Sequence, residues 1–134
     1  MSTKKLTLIA SLFIIVAVFF ASCSPGKSYI TTSVGDLTIK RSEIVYEFAG
    51  GNVVSGSKLL LIYFESKDGE TVDGLYEAGQ NVTVSDSSGT KFEMGVGGIQ
   101  QGENFLGFLI PETAADLMLV WPGNDPVAIE IQGQ

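Results

Sequence analysis

The chain has 134 residues, with 15 acidic against 8 basic side chains for a formal charge of −7, a single cysteine and no histidine. So large an acid excess argues against a nucleic-acid partner, because affinity for phosphate backbones rests on Lys and Arg. The missing histidine removes Ser-His-Asp and Cys-His nucleophile activation, most zinc sites and the commonest proton carrier near neutral pH, and no cofactor is expected.

Lys4 and Lys5 precede an uncharged apolar stretch from Leu6 to Ala21, which ends in Phe20-Ala21-Ser22-Cys23. A positive start, an apolar middle and small residues at the end give the layout of a secretory signal. The apolar stretch falls short of the roughly 20 residues that span a bilayer. With cysteine directly after the two small residues, the segment resembles a bacterial lipoprotein signal. That resemblance implies that Cys23 carries a thioether-linked diacylglycerol and becomes the first residue of the mature protein. Two acyl chains anchor a protein stably where one does not. The expected location is extracytoplasmic, lipid-anchored to the cell membrane or the outer membrane, and Ser24 after the cysteine resembles the outer-membrane sorting class. An uncleaved anchor and a secreted protein cut elsewhere are the alternatives. The expected organisation is a signal over 1–22, a lipidated cysteine and flexible tether over 23–34, and one domain over 35–134. Removal of the signal takes two lysines and no acid, so the mature domain is more acidic still.

Within that domain, short β-branched and aromatic segments recur between Gly, Asn, Asp and Ser, and no segment sustains a 3.6-residue apolar stripe. Leu37 and Ile39 share one face, whereas Ile44, Tyr46 and Phe48 follow with shifted parity, so a bulge is expected between Lys40 and Ser42. Gly50-Gly51-Asn52 turns the chain. Leu59 to Phe64 is apolar at every position, as in a central strand covered on both faces or shielded by the tether or a partner. Lys67-Asp68-Gly69-Glu70 reads as a hairpin turn. Val82 and Val84 alternate inward, Phe92 and Met94 answer them, and Asp86-Ser87-Ser88-Gly89 joins the two strands. Gly95 to Gly102 holds four glycines and no charge, and reads as a mobile loop. Phe105 to Ile110, Leu117 to Trp121 and Val127 to Ile131 complete the strands, with a short helical turn between Pro111 and Asp116. About seven strands in some 100 residues imply an all-β, immunoglobulin-like antiparallel sandwich.

The order Asp86-Ser-Ser-Gly89-Thr-Lys-Phe92, a glycine-containing loop, Gly102-Glu103, then Phe105-Leu-Gly107-Phe-Leu-Ile-Pro111 and the alternation Leu117, Leu119, Trp121 carries a resemblance. From Leu37 to Ile131 the chain is similar to the immunoglobulin-like extracellular domains called telokin-like, or DUF4352, which are common in bacterial lipoproteins. The resemblance implies a fold and a location, and brings no catalytic residues with it.

Candidate chemistry in the residues is sparse. Ser-x-x-Lys occurs as Ser24–Lys27, Ser55–Lys58 and Ser88–Lys91, but a nucleophilic serine of that pattern needs a helix to stack the lysine beside it, and none is expected there. Gly51 to Lys58 half-matches a phosphate loop without the helix that would follow it. Asp68, Glu70 and Asp73, and separately Asp86 and Glu93, offer oxygens to a hard cation without the spacing of a calcium loop, and no metal site is expected. Trp121 with Tyr46, Tyr63 and Tyr76 is the candidate carbohydrate-stacking platform. The expected function is a non-catalytic binding or envelope-structural role, with an envelope protein as partner and Gly97, Gly98, Ile99 and Gln100 as the contact residues. A carbohydrate-binding module and a small cell-envelope hydrolase are the alternatives.

Overall fold

In the computed structural model, which describes residues 29–133, the uninterrupted apolar run becomes the central strand β5 (Ser57–Ser66). It lies between β2 (Gly35–Val45) and β8 (Glu103–Pro111), antiparallel to both. Leu60, Ile62 and Phe64 point to the main core, while Leu59, Leu61 and Tyr63 form a second apolar cluster with Phe105 on the opposite face. That second face is roofed by Phe48 of the small hairpin of β3 (Glu47–Phe48) and β4 (Gly51–Asn52), by Val53 directly after it, and by Val96. Burial on both faces is why the run does not alternate.

The remaining strands are β1 (Ile30–Thr32), β6 (Thr83–Ser85), β7 (Lys91–Gln100), β9 (Met118–Val120) and β10 (Val127–Ala128), with one short helix, α1 (Leu75–Ala78). Eight strands form a single curled antiparallel sheet in the order β1-β2-β5-β8-β7-β6-β9-β10. Strand β7 makes the curl. Its first residues, Lys91 to Glu93, pair with β6, whereas Met94 to Gln100 pair with β8, and the register slips between Met94 and Val96. The extra residue, Gly95, bends the strand so that it serves both halves of the sheet, as corner strands do. Leu37, Ile62, Leu106 and Phe108 from one half then meet Val82, Val84, Leu117 and Leu119 from the other. Phe64 and Trp121 close the core edge-to-face, 6.0 Å between centroids. The fold is all-β and sandwich-like, as expected.

Local expectations hold in several places. The register of β2 slips between Ile39 and Arg41, which moves Ser42 and Ile44 to the core side. The Asp86 hairpin closes as an Asx turn: Oδ1 accepts the backbone N–H groups of Ser88 and Thr90, both at 3.0 Å, and the Ser88 hydroxyl at 2.7 Å.

Four readings need correction. The tether expected through residue 34 ends sooner, because Ile30 to Thr32 pair with Leu37 to Gly35 and Ile30 enters the core. The Lys67–Glu70 turn forms, with Gly69 N–H donating to the Ser66 carbonyl, but the chain continues to α1 and not into a hairpin partner. The last strand is limited to Val127–Ala128. The mobile loop over Gly95 to Gly102 is instead most of β7 plus a two-residue turn. Gln101 (φ 52°) and Gly102 (φ 78°) are both left-handed, the geometry of the type I′ turn that best matches strand twist.

Glycine richness misled because it marks close packing here. A Cβ at Gly107 would lie 2.5 Å from Val96 Cγ1, and one at Gly97 would lie 2.8 Å from Leu106 Cδ2. In a strand interior, glycine marks such close approach as well as flexibility.

Candidate site at the open edge of the sheet

Among the described residues, the pairing pattern leaves two stretches of the sheet without a strand on one side, β2 beyond Leu37, where Gln132 donates to the Ser42 carbonyl, and the second half of β7. From Gly95 to Gln100, β7 is bonded to β8 on one side, while β6 pairs only with Lys91 to Glu93, so no strand of the described residues covers the other side. In a two-residue hairpin the pair next to the turn, Gln100 with Glu103, exchanges both hydrogen bonds, and the pairs alternate from there. Gly98 is therefore bonded to β8, and Gly97 and Ile99 aim their N–H and C=O groups outward. No turn, loop or side-chain hydrogen bond among the described residues reaches those groups.

A second wall faces this edge. Asn104, buried in β8, donates from Nδ2 to the Val72 carbonyl at 2.7 Å and accepts the Val72 N–H on Oδ1 at 2.9 Å. Its carboxamide thus imitates a strand partner and fixes the segment before α1. Gly74 (φ 82°) turns the chain into α1, whose Leu75 is buried. Tyr76 consequently points outward, with Cδ2 3.3 Å from where a Gly97 Cβ would sit. Between the two walls runs a groove of about 290 Å³, lined by Val72, Asp73, Tyr76, Gly98, Ile99 and Asn104 among others. Ile99 is 52% exposed and Tyr76 41%, and the exposed carboxylates of Asp73 and Glu77 line the same groove.

Of the contact residues expected from sequence, Gly98 and Ile99 line this groove, on a strand and not on a loop, and Gly97 lies next to them against Tyr76. Gln100 is exposed at the end of the strand, outside the groove lining. Cys23 lies outside the described residues. Sequence reasoning assigned Tyr76 to a stacking platform and Asp73 to an acidic cluster, not to this groove, and did not single out Asn104. A usable signal was present for Asn104 alone, a carboxamide at the head of the apolar run that follows it in β8.

The chain matches no family model, no curated protein and no solved structure. The reading of the site therefore rests on its own geometry.

A second polar cluster lies on the outer face of β2, β5 and β8. Arg41 Nη2 donates to Glu103 Oε1 at 2.7 Å, Lys40 Nζ lies 2.9 Å from Glu103 Oε2, and Arg41 Nη1 lies 3.5 Å from Glu43 Oε2. The Arg41 guanidinium also stacks 3.7 Å above the Tyr63 ring, whose hydroxyl donates to Glu43 Oε1 at 3.0 Å. The bulge at Lys40 lets two successive basic residues reach one carboxylate. Lys40 and then Arg41 hold the Glu103 carboxyl below its ordinary value, while burial and then Glu43 hold the Tyr63 phenol above its own. With every charge engaged by a neighbour, the cluster fastens three strands together.

The other candidates disperse. Trp121 and Tyr63 are buried, whereas Tyr46 and Tyr76 are exposed on separate elements, so the four make no common stacking platform. Among the described residues no group of three or more acidic or thiol side chains is placed to hold a metal. Ser88 spends its hydroxyl on Asp86, and Ser55 and Lys58 stand where a turn enters β5, without a helix.

Proposed function

We propose that the chain is a lipid-anchored extracytoplasmic module with a non-catalytic role, engaging an envelope protein through the groove between β7 and α1. The lipoprotein-like Phe20-Ala21-Ser22-Cys23 supports the anchor, and the likeness to telokin-like extracellular domains supports the setting. The observation that carries the binding reading is the side-by-side exposure of Ile99 and Tyr76 along an unpaired strand edge. Aromatic and aliphatic side chains standing next to unsatisfied backbone groups are what a protein partner would cover.

Two measurements test the two halves of this reading. Cys23→Ala should move the protein from the membrane fraction to the soluble fraction, and retention of the variant in membranes at its mature mass would refute the anchor. A photo-crosslinking residue at position 99 in intact cells should give one discrete protein adduct that Tyr76→Ala abolishes. The same residue at position 112, at the far end of β8, should give none. Equal adducts at both positions would refute the groove as the contact surface.

A further inference from the structure

Resting on that reading, we infer that the groove takes its partner by strand addition. An extended peptide would pair with the free edge of β7 and present to the groove an apolar side chain flanked by lysine or arginine. Three observations converge on this occupant.

The first is the hydrogen-bond pattern. Gly97 and Ile99 each direct an N–H and a C=O outward, two residues apart, which is the repeat of the free edge of an antiparallel or parallel ladder. The accessible length from Gly95 to Gln100 corresponds to about 20 Å of strand at 3.3 Å per residue. Native proteins usually blunt such an edge with Lys, Pro or a covering element. Here the edge carries neither Lys nor Pro, its residues from 95 to 100 hold no charge, and α1 borders it without pairing to it. The two sheet termini, by contrast, are a three-residue strand clamped by Asn124 and a two-residue strand.

The second is shape. Gly97 and Gly98 carry no side chain, so the backbone of β7 beside Ile99 is bare on both faces. Ile99 and Tyr76 stand on either side of the groove and leave an apolar seat for one side chain of the incoming strand. Because side chains alternate between faces, residues two before and two after the seated one also point into the groove.

The third is charge. Asp73 and Glu77 line the groove, and no basic side chain does. Residues at the flanking positions are therefore favoured when they are Lys or Arg. The same two acids disfavour a second copy of this chain, since edge-to-edge pairing would bring Asp73 and Glu77 toward their own equivalents.

The test uses the full-length protein in detergent and the peptide acetyl-TKTVTKT-amide, whose central valine and two lysines share one face of an extended strand. Titration followed by backbone-amide NMR should shift the Gly97 and Ile99 N–H signals and slow their hydrogen exchange at least tenfold, while Gly98 and Gln100 stay as they are. N-methylation of alternate peptide amides should weaken binding at least tenfold for one parity and leave it nearly unchanged for the other, because only one set pairs with β7. Replacing both peptide lysines by glutamate, or the double substitution Asp73→Asn and Glu77→Gln, should also weaken binding at least fivefold. Equal tolerance of both methylation parities, or shifts confined to Tyr76 and Ile99 side chains, would overturn strand addition. A position-99 crosslink in cells would meanwhile leave the binding surface itself intact. Absence of both the peptide response and the crosslink would defeat the two readings together. Sedimentation showing a dimer abolished by Ile99→Lys would assign the edge to a second copy and would likewise overturn the peptide proposal.

Discussion

Placing a methyl group at Gly107 tests how β7 and β8 are packed. Gly107 is buried between β5 and β7, and a Cβ there would lie 2.5 Å from Val96 Cγ1 and 3.2 Å from Leu61 Cδ2. The first distance is far inside van der Waals contact, and neither neighbour is a free side-chain tip: both belong to the outer apolar cluster. Forcing one carbon into a packed site costs about 1–3 kcal/mol. Reduced freedom of the unfolded chain returns about 0.4–1 kcal/mol. Gly107→Ala should therefore destabilise by about 1–2 kcal/mol. Val96→Ala, which removes two methyl groups from a half-buried site, should cost about 1 kcal/mol by itself. In the double variant the new methyl occupies the space that Val96 vacates, so the combined loss should fall at least 1 kcal/mol short of the sum. Urea unfolding followed by the fluorescence of Trp121, the sole tryptophan and a buried one, measures all three with a common slope. Additivity to within about 0.5 kcal/mol, the usual result for independent sites, would refute the close contact between β7 and β8.

Asn104→Ala should destabilise by about 2–3 kcal/mol in the same assay, because it leaves both backbone groups of Val72 without their partner. Ser42→Ala should be neutral or stabilising by up to about 1 kcal/mol, since the Ser42 hydroxyl is buried with no hydrogen-bond partner among the described residues; a clear loss of stability would contradict that placement. The carboxyls of Asp86 and Glu103 are held below their ordinary values, Asp86 first by the Ser88 hydroxyl and Glu103 first by Lys40. Each thus contributes stability that is present above about pH 4 and is lost as acid approaches the lowered folded-state value. Glu103→Gln should flatten the acid limb of stability against pH, and an unchanged limb would count against the pairing. In the unliganded protein, the Gly97 and Ile99 amides should exchange with solvent much faster than those of Gly98 and Gln100; equal protection would show that the edge is covered.

Features set by a few adjacent residues could be read from the chain. The parity change across Lys40 to Ser42 announced the bulge, Asp86-Ser-Ser-Gly89 announced its hairpin, and the unbroken Leu59 to Phe64 announced a strand covered on both faces. Features set by distant neighbours could not. The helix at Leu75–Ala78 is too short to hold by propensity, and it exists because Leu75 is buried and Asn104 fixes the chain before it. Glycines such as Gly97 and Gly107 look alike in sequence whether they free a loop or admit Leu106 and Val96, and only the opposing strand decides between the two. The same holds for the candidate site. Ile99 stood out as an apolar residue among glycines, but Tyr76 and Asp73 come to its side through the Val72–Asn104 clamp, a pairing 32 residues apart in the chain.

Strand β1 and the free stretch of β7 occupy opposite margins of one half of the sheet, in the order β1-β2-β5-β8-β7. The described residues begin at Tyr29, beside the first margin, and the groove opens at the other, about 19 Å away at 4.7–4.9 Å per strand. If the chain is anchored through Cys23 and holds a peptide in the groove, as proposed, the two attachments pull in opposite directions across the strands. The load would pass laterally through β2, β5 and β8, and the three-residue ladder of β1, stitched to Asn124 by two hydrogen bonds, would be the first link to give. Under those two proposals, tension would open one short strand before it disturbed the margin at which the peptide sits.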